Sequence, residues 1–326
     1  MRVLSETEIR SVVSMHDAVG AVEDAFAGLS QGRAQLPAVM HFDFPDANGD
    51  AHVKGAFLSG APYYVVKIAS GFYDNPRRGL SVGAGLVLAF NTETGQPVAL
   101  LLDNGFLTDL RTGAAGGVAA KHLANPELTK VAFVGAGVEA RFQARALAEV
   151  RRLPPADVWS RTHERAEAFA REMRDELGIE VRVVADVEQA VRNADLVITT
   201  TPAREPVVHA DSLAPGVHIT AVGSDGPEKQ ELDVDVLRRA DVVVADRLQQ
   251  CIEAGEIHHA VAAGVLSPED VVGELGDVIM GRVEGRRSPG DITVCDLTGV
   301  GVQDAAVAAL AIDAAAVRNL GTELQT

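Results

Sequence analysis

The sequence predicts an α/β protein, with a doubly wound parallel sheet through the middle of the chain and a smaller α+β unit joined to it. Three observations carry this prediction. From Lys130 onward strand-like and helix-like segments alternate, the pattern of parallel strands connected by crossover helices. Before about Leu123 the order is helices first and then short strands. Between the two, Lys130-Val131-Ala132-Phe133-Val134-Gly135-Ala136-Gly137-Val138-Glu139-Ala140 passes from an apolar run through a glycine turn into a helical pattern.

Taken in order, Ser5 and Glu8 have the spacing of a capping box, and Ser14 is placed to cap a second helix that buries Val19, Val22, Phe26 and Leu29. Strand-like runs follow at 64–68, 86–90 and 98–102, with the turn Asn91-Thr92-Glu93-Thr94-Gly95 between the last two. Further strands are expected at 131–134, 158–159, 181–184, 196–199, 218–222, 242–245 and 292–296. Helices fill the gaps, one presenting Ala166, Phe169, Met173 and Leu177 on a single face. The stretch 304–320 reads as a long Ala/Val-rich helix, able to pack closely and return to the first unit. The expected division is residues 1–123 with 304–326 as the α+β unit, and residues 124–303 as the parallel-sheet unit.

A chain of 326 residues has room for two such units. The two cysteines, Cys251 and Cys295, have no zinc or C-x-x-C spacing and suit a reducing compartment. The charged start Met1-Arg2-Val3-Leu4-Ser5-Glu6 lacks the apolar core of a signal peptide, and no apolar run approaches the roughly 18 residues of a membrane span. A soluble, cytoplasmic protein is expected. The formal charge of −17 disfavours nucleic acid and anionic lipid as partners. The doublet His258-His259 lacks the i, i+4 spacing of a helical zinc site, so it is read as a solvated helix face and no metal is expected.

The glycine turn carries specific chemistry. Gly135 permits the tight turn, Gly137 lets the backbone approach a pyrophosphate, and Ala140 lets the helix pack against the strand, with the free N–H groups of its first turn facing the anion. This is the Rossmann-type dinucleotide fingerprint. In NAD sites an acid about 20 residues further on bonds the ribose hydroxyls. Here Ser160 stands at that place, followed by Arg161 and Thr162. A carboxylate would repel a 2′-phosphate, whereas serine and guanidinium bind one, so NADP is favoured over NAD. Asp157 precedes the strand end and is expected to point away.

Three further segments narrow the reading. They are Leu107-Thr108-Asp109-Leu110-Arg111-Thr112-Gly113-Ala114-Ala115-Gly116, then Val222-Gly223-Ser224-Asp225-Gly226-Pro227-Glu228-Lys229-Gln230-Glu231-Leu232, and Asp296-Leu297-Thr298-Gly299-Val300-Gly301-Val302-Gln303-Asp304. With the glycine loop, they resemble the ornithine cyclodeaminase/μ-crystallin family along nearly the whole chain. The wording is closest to its alanine dehydrogenase, pyrroline-carboxylate reductase and ectoine-utilisation branches. The resemblance implies a homodimer formed through the N-terminal unit and a small α-amino or α-imino acid substrate. It also implies Lys67 as the active-site lysine, Arg111 as the holder of the substrate carboxylate and Asp225 as the acid at the reacting amine. Thr112 would lie beside the cofactor phosphates, and Thr298 and Gly299 near the nicotinamide. The residues agree chemically: Arg111 can grip a carboxylate bidentately, and Asp225 at the end of a strand lies at the sheet edge where such folds bind ligands.

The chain also departs from the family pattern. Where many members place a second arginine, Leu36-Pro37-Ala38-Val39-Met40-His41 offers only His41, and where cyclodeaminating members place a glutamate the chain has His52, with Lys54 beyond. His41 and Lys54 are therefore the remaining substrate-binding candidates. A basic edge suits a substrate with a second carboxylate, such as iminosuccinate, better than ornithine. The leading expectation is an NAD(P)-dependent oxidoreductase acting on the CH–NH or C=N bond of a small amino or imino acid. The alternatives are a lyase with bound NAD that releases ammonia, and a crystallin-like cofactor-binding protein without turnover.

Overall fold

The computed structural model describes residues 1–325. In chain order the first part contains β1 (Arg2–Ser5), α1 (Glu6–Val12), α2 (Met15–Ser30), β2 (Ala34–Gln35), β3 (Met40–Phe44), β4 (Gly49–Leu58), β5 (Tyr63–Phe72), β6 (Gly83–Asn91), β7 (Pro97–Leu102) and α3 (Phe106–Leu123). The middle part begins with β8 (Val131–Val134), α4 (Val138–Val150), β9 (Ala156–Trp159), α5 (His163–Leu177), β10 (Val181–Val183), α6 (Val187–Val191) and β11 (Leu196–Thr199). It continues with β12 (His218–Ala221), α7 (Val234–Arg239), β13 (Val242–Ala245), α8 (Leu248–Glu253), α9 (Glu256–Ala262), β14 (Gly273–Glu274), α10 (Leu275–Ile279) and β15 (Thr293–Asp296). The helix α11 (Gly301–Val317) and strand β16 (Thr322–Glu323) follow.

The chain divides into two compact units, Met1–Arg111 with the chain from Gly301, and Thr112–Val300. The division runs through α3, whereas the sequence pattern puts the break at that helix's end.

The first unit holds a mostly antiparallel sheet in the order β16-β1-β7-β6-β5-β4-β2, with β3 paired to β4. The capping box at Ser5 and Glu8 and the cap at Ser14 are both formed. Val19, Val22, Phe26 and Leu29 are buried, and α2 and α11 pack on each other and on β4. The chain starts with a strand before its first helix, and two more strands, β3 and β4, lie in the stretch 40–58, which contains no expected strand. The register sets one face: Lys54 stands opposite Lys67, and His52 is flanked by His41 on β3 and Ala69 on β5. Side chains two apart on a strand share a face, so His41, His52, Lys54 and Lys67 lie on the same side of the sheet.

The second unit is built on an all-parallel sheet, β10-β9-β8-β11-β12-β15-β13-β14. Alternate residues of β8 enter different cores: Val131 and Phe133 pack with Phe169 and Met173, while Ala132 and Val134 pack with Ile219 and Val236. That double burial explains the unbroken apolar run of the strand. The chain leaves β8 toward β9 on one side and reaches β11 on the other, so a topological switch point lies above the carboxyl end of β8. Here α3 approaches α4 closely through its glycines. A Cβ on Gly113 would stand 2.7 Å from the Phe142 backbone, and one on Gly116 would stand 1.7 Å from Gln143 Oε1. The Gln143 amide donates to the Thr112 carbonyl at 2.9 Å.

Candidate functional site

The glycine turn sits at the switch point. Gly135 has φ +115°, and a Cβ there would meet Thr200 Oγ1 at 2.5 Å, so the turn needs glycine on both counts. Gly137 is the N-cap of α4, with no side-chain cap on the helix and nothing within 4 Å of where a Cβ would be. The first turn of α4 thus presents its backbone N–H groups over open space, and the residues fit a diphosphate. Ala140 is fully buried against Phe133 and Ile198, filling the packing role read from the sequence.

At the end of β9, Arg161 and Thr162 are exposed and Ser160 is half-buried. Ser160 Oγ accepts only a long bond, 3.4 Å, from the Thr162 amide, and the Thr162 hydroxyl makes no cap bond to α5 although the residue occupies the cap position. Asp157 is engaged elsewhere. Its carboxylate takes a bidentate pair from Arg182, at 2.8 Å to each oxygen, and Lys130 Nζ at 2.8 Å.

In the first unit a buried ionic cluster assembles from three elements. Lys67 on β5 is 3% exposed, Arg111 on α3 is 7% and Asp304 on α11 is 3%. One oxygen, Asp304 Oδ1, accepts from Lys67 Nζ at 2.9 Å and from Arg111 Nε at 3.0 Å. Arg111 Nη1 donates to Gln303 Oε1 at 2.9 Å. Asp304 Oδ2 is buried without a hydrogen-bond partner.

The electrostatics follow from burial and from the excess of cations. Burial pushes the Lys67 ammonium down to about 7; Asp304 opposes this, and Arg111 and Lys54 reinforce it. For Asp304 burial acts upward, but Lys67, Arg111 and Lys54 outweigh it and hold the carboxyl below its ordinary range. A buried lysine that changes charge near neutrality, beside a guanidinium with one nitrogen left over from its two bonds, can hold an anion and exchange a proton with it.

His41 and His52 lie further out on the same sheet face. His41 Nδ1 and His52 Nε2 are 2.7 Å apart, and His41 Nε2 is 3.0 Å from Asp43 Oδ1.

In the second unit, Asp225 leaves β12 in a tight loop. Its carboxylate pairs with Lys229 Nζ at 2.6 Å, and Ser224 Oγ donates to the Lys229 carbonyl at 2.5 Å. Thr298 is buried, and its hydroxyl donates to Asp246 Oδ1 at 3.0 Å while accepting from Gln250 at 2.9 Å. Gly299, at φ +81°, donates its amide to Asp246 Oδ2 at 2.7 Å. The Thr298-Gly299 turn is therefore shaped by Asp246.

Sequence reasoning missed Asp304, Gln303, Lys229 and Asp246. Asp304 had a visible signal, an acid in the first turn of a helix whose other polar residues are Gln303 and Asp313. The His258-His259 doublet is not a solvated face: both rings are half-buried, with His258 Nδ1 2.9 Å from the Ile252 carbonyl and His259 Nε2 2.7 Å from that of Lys229. Hydrogen bonding to a carbonyl of α8 and to one of the loop that follows β12 accounts for both.

Residues 1–319 match the ornithine cyclodeaminase/mu-crystallin family. A protein of Sinorhizobium fredii described as an uncharacterised cyclodeaminase is 44% identical, over 99% of this chain and 98% of its own length. Among solved structures, an archaeal alanine dehydrogenase dimer with bound NAD is 38% identical, with a TM-score of 0.93 over 100% of this chain and 99% of that one. The Thermococcus litoralis Δ1-pyrroline-2-carboxylate reductase, in complex with NADH and L-proline, is 32% identical, with a TM-score of 0.95 over 99% of this chain and 100% of that one.

The ionic cluster yields a direct measurement. In the folded protein the Lys67 side-chain carbons should titrate near pH 7 in ¹³C NMR, and Asp304→Asn should move the midpoint lower still, because the group that favours the ammonium is gone. The folded midpoint lies below the unfolded value of 10.5, so between about pH 7 and 10.5 the unfolded chain binds more protons at this site. The contribution of Lys67 to stability therefore rises with pH across that window. An ordinary lysine midpoint in the folded protein would refute the cluster.

Proposed function

The chain belongs to the ornithine cyclodeaminase/mu-crystallin family, and from that premise we propose that it is a nicotinamide-dependent oxidoreductase of a small α-amino or α-imino acid, working at the CH–NH or C=N bond. The observation that carries this reading is the buried trio of Lys67, Arg111 and Asp304. Gly135, Gly137 and the first turn of α4 would hold the dinucleotide diphosphate, with Thr112, Thr298 and Gly299 as further cofactor contacts. The bound cofactor supplies or accepts the hydride.

The chain's own residues orient and charge the substrate. Arg111 receives the α-carboxylate on the guanidinium edge not spent on Asp304 and Gln303. Charge-assisted bonds of this kind contribute about 1.5–3 kcal/mol each. Asp304 fixes both Arg111 and Lys67, so the cation pair is in place before substrate arrives. Lys67, poised near neutrality, exchanges a proton with the substrate. Asp225 stabilises the protonated nitrogen, which makes Cα a better hydride acceptor. Lys54, opposite Lys67, with His41 beyond it, adds positive character that favours a second carboxylate on the substrate.

The test is a panel of pyruvate with ammonia, pyrroline-2-carboxylate, piperideine-2-carboxylate and iminosuccinate, each with NADPH and with NADH. Oxidation of the reduced cofactor with at least one substrate is expected, and Lys67→Met should lower kcat about 10²–10⁴-fold with cofactor affinity retained. No turnover on the whole panel would sink the reading. The likeness to a protein described as a cyclodeaminase favours a second one, a lyase with bound NAD, and release of ammonia from ornithine without net cofactor change would select it.

For the cofactor, we infer NADP over NAD. The strand end at Ser160-Arg161-Thr162 carries no acid, and the nearest one, Asp157, is locked to Arg182 and Lys130. Ser160→Asp is expected to lower kcat/KM for NADPH at least about tenfold relative to NADH, through repulsion of the 2′-phosphate. An unchanged ratio would argue for NAD.

We also infer a homodimer through the outer face of the first unit's sheet. That face exposes Met40 at 55%, Phe42 at 50%, Ile68 at 40% and Leu102 at 44%, with Met40, Val53, Ile68 and Leu86 in one cross-strand row. A contiguous apolar patch of this kind marks an interaction surface. Light scattering should give a dimer mass, and Ile68→Asp should shift it toward the monomer.

A further inference from the structure

Glu231 is fully buried, yet among the described residues no cation is paired with its carboxylate. Its donors come from the exits of two neighbouring parallel strands. From the end of β11 it receives the Thr199 hydroxyl at 2.7 Å, from just beyond that strand the Thr201 amide, and from beyond β12 the Gly223 amide at 2.7 Å. The fit is close on both sides: a Cβ on Gly223 would stand 2.2 Å from the Thr201 carbonyl oxygen and 2.6 Å from Glu231 Oε2.

Glu231 is itself held from behind. Its own amide donates to Glu256 Oε1 at 2.8 Å, and the next amide, of Leu232, donates to Glu256 Oε2 at 3.0 Å. Its carbonyl accepts from the amides of Val207 and Val208 at 2.8 and 3.0 Å. The side chain thus projects from a rigid strut onto the base of the loop that begins at Gly223, two residues before Asp225.

The loop is held at both ends. At the far end Ser224 and Asp225 bind Lys229, whose carbonyl lies 2.7 Å from His259 Nε2, and the Gln230 amide donates to the Ala203 carbonyl at 2.9 Å. At the near end, next to Asp225, the Gly223 amide is held by Glu231.

We propose that Glu231 is a positioning residue: its carboxylate clamps the exits of β11 and β12 together and so sets where Asp225 stands in the reaction. A carboxylate is required because the Thr201 and Gly223 amides, which can only donate, meet different oxygens of it, Oε1 and Oε2. A glutamine of the same shape places an NH₂ group against an N–H. The catalytic part of the proposal rests on the assignment of Asp225 to the substrate nitrogen.

The experiment has two arms. In the first, hydrogen exchange by mass spectrometry compares wild type with Glu231→Gln. Faster exchange in peptides covering 199–203 and 222–226, with the 135–140 loop unchanged, is expected, and identical exchange in both peptides overturns the clamp. This arm needs no activity, so it decides the clamp even if no imino acid is turned over.

In the second, the substitution is made in the Asp225 background and in Asp225→Asn. Glu231→Gln is expected to lower kcat about tenfold or more in the first and less than about twofold in the second, with the KM for cofactor unmoved in both. Equal losses in the two backgrounds would show a merely structural residue and overturn the proposal. If Glu231→Gln does not fold, Thr199→Val removes one donor without changing shape. Its loss, smaller in size, should show the same dependence on Asp225.

Discussion

The first unit depends on one shared oxygen. Asp304 Oδ1 is the meeting point of a strand lysine and a helix arginine, all three side chains out of water. Removing one partner from a buried ion pair typically costs about 3–5 kcal/mol, because the remaining charge is stranded. The cluster is not balanced, since two cations share one carboxylate and Lys54 stands close enough to act on both Lys67 and Asp304. The surplus positive charge is relieved if Lys67 sheds its proton or if an anion arrives. Burial and imbalance together leave lysine titrating near neutrality, so the cost of burying the charge and the reactivity of the amine have the same origin.

The second unit solves the opposite problem. Glu231, Asp246, Glu256 and Asp296 are all buried near the carboxyl ends of its strands, and their hydrogen bonds come from backbone amides, hydroxyls and a thiol rather than from lysine or arginine. Desolvation is the leading cause that pushes Glu231 up to about 7 and Asp296 up to about 8. Each of these acids joins a strand exit or a loop base to a neighbouring segment. In this sheet the backbone bonds between strands continue one residue past the strand ends, as from the Val222 amide to the Thr199 carbonyl, and side-chain acceptors take amides beyond them, such as those of Thr201 and Gly223.

Much of this was legible in the sequence, and the part that was not has physical reasons. The parallel sheet was readable because its strands are buried on both faces and therefore appear as unbroken apolar runs; Val131–Val134 and Val242–Ala245 fall where the pattern puts them. Strand β4 hid because its inward positions carry His52 and Lys54 and its outward ones include Gly49 and Gly55, which erases the alternation that marks a half-buried strand. Among the site residues, Lys67 and Arg111 stood out as charges in apolar surroundings and do share a partner. Asp304 was visible only as an interruption of an apolar helix. Glu231 gave no signal at all, since a glutamate between a glutamine and a leucine looks like any surface acid until the fold brings Thr199 and Gly223 to it.

The short reach of aspartate explains why the start of α11 is built from small residues. For Asp304 to touch both Lys67 and Arg111, the helix must lie almost on the backbone of the sheet. Gly301 makes this possible: a Cβ there would stand 2.9 Å from the Gly55 carbonyl oxygen and 3.2 Å from the Ala56 side chain. Three residues later, on the same side of the helix, comes Asp304. Gly55 in turn follows Lys54 and lies opposite Val66, the neighbour of Lys67. The glycine contact therefore fixes the height of the helix over β4 and β5, and the ionic contact one turn along uses that height. A longer acid on a helix held further out would reach the same cations with more rotamers to lose on ordering. The Gly301–Asp304 spacing is thus a single device, in which the packing of a residue without a side chain sets the geometry of the only carboxylate bonded to Lys67 and Arg111 among the described residues.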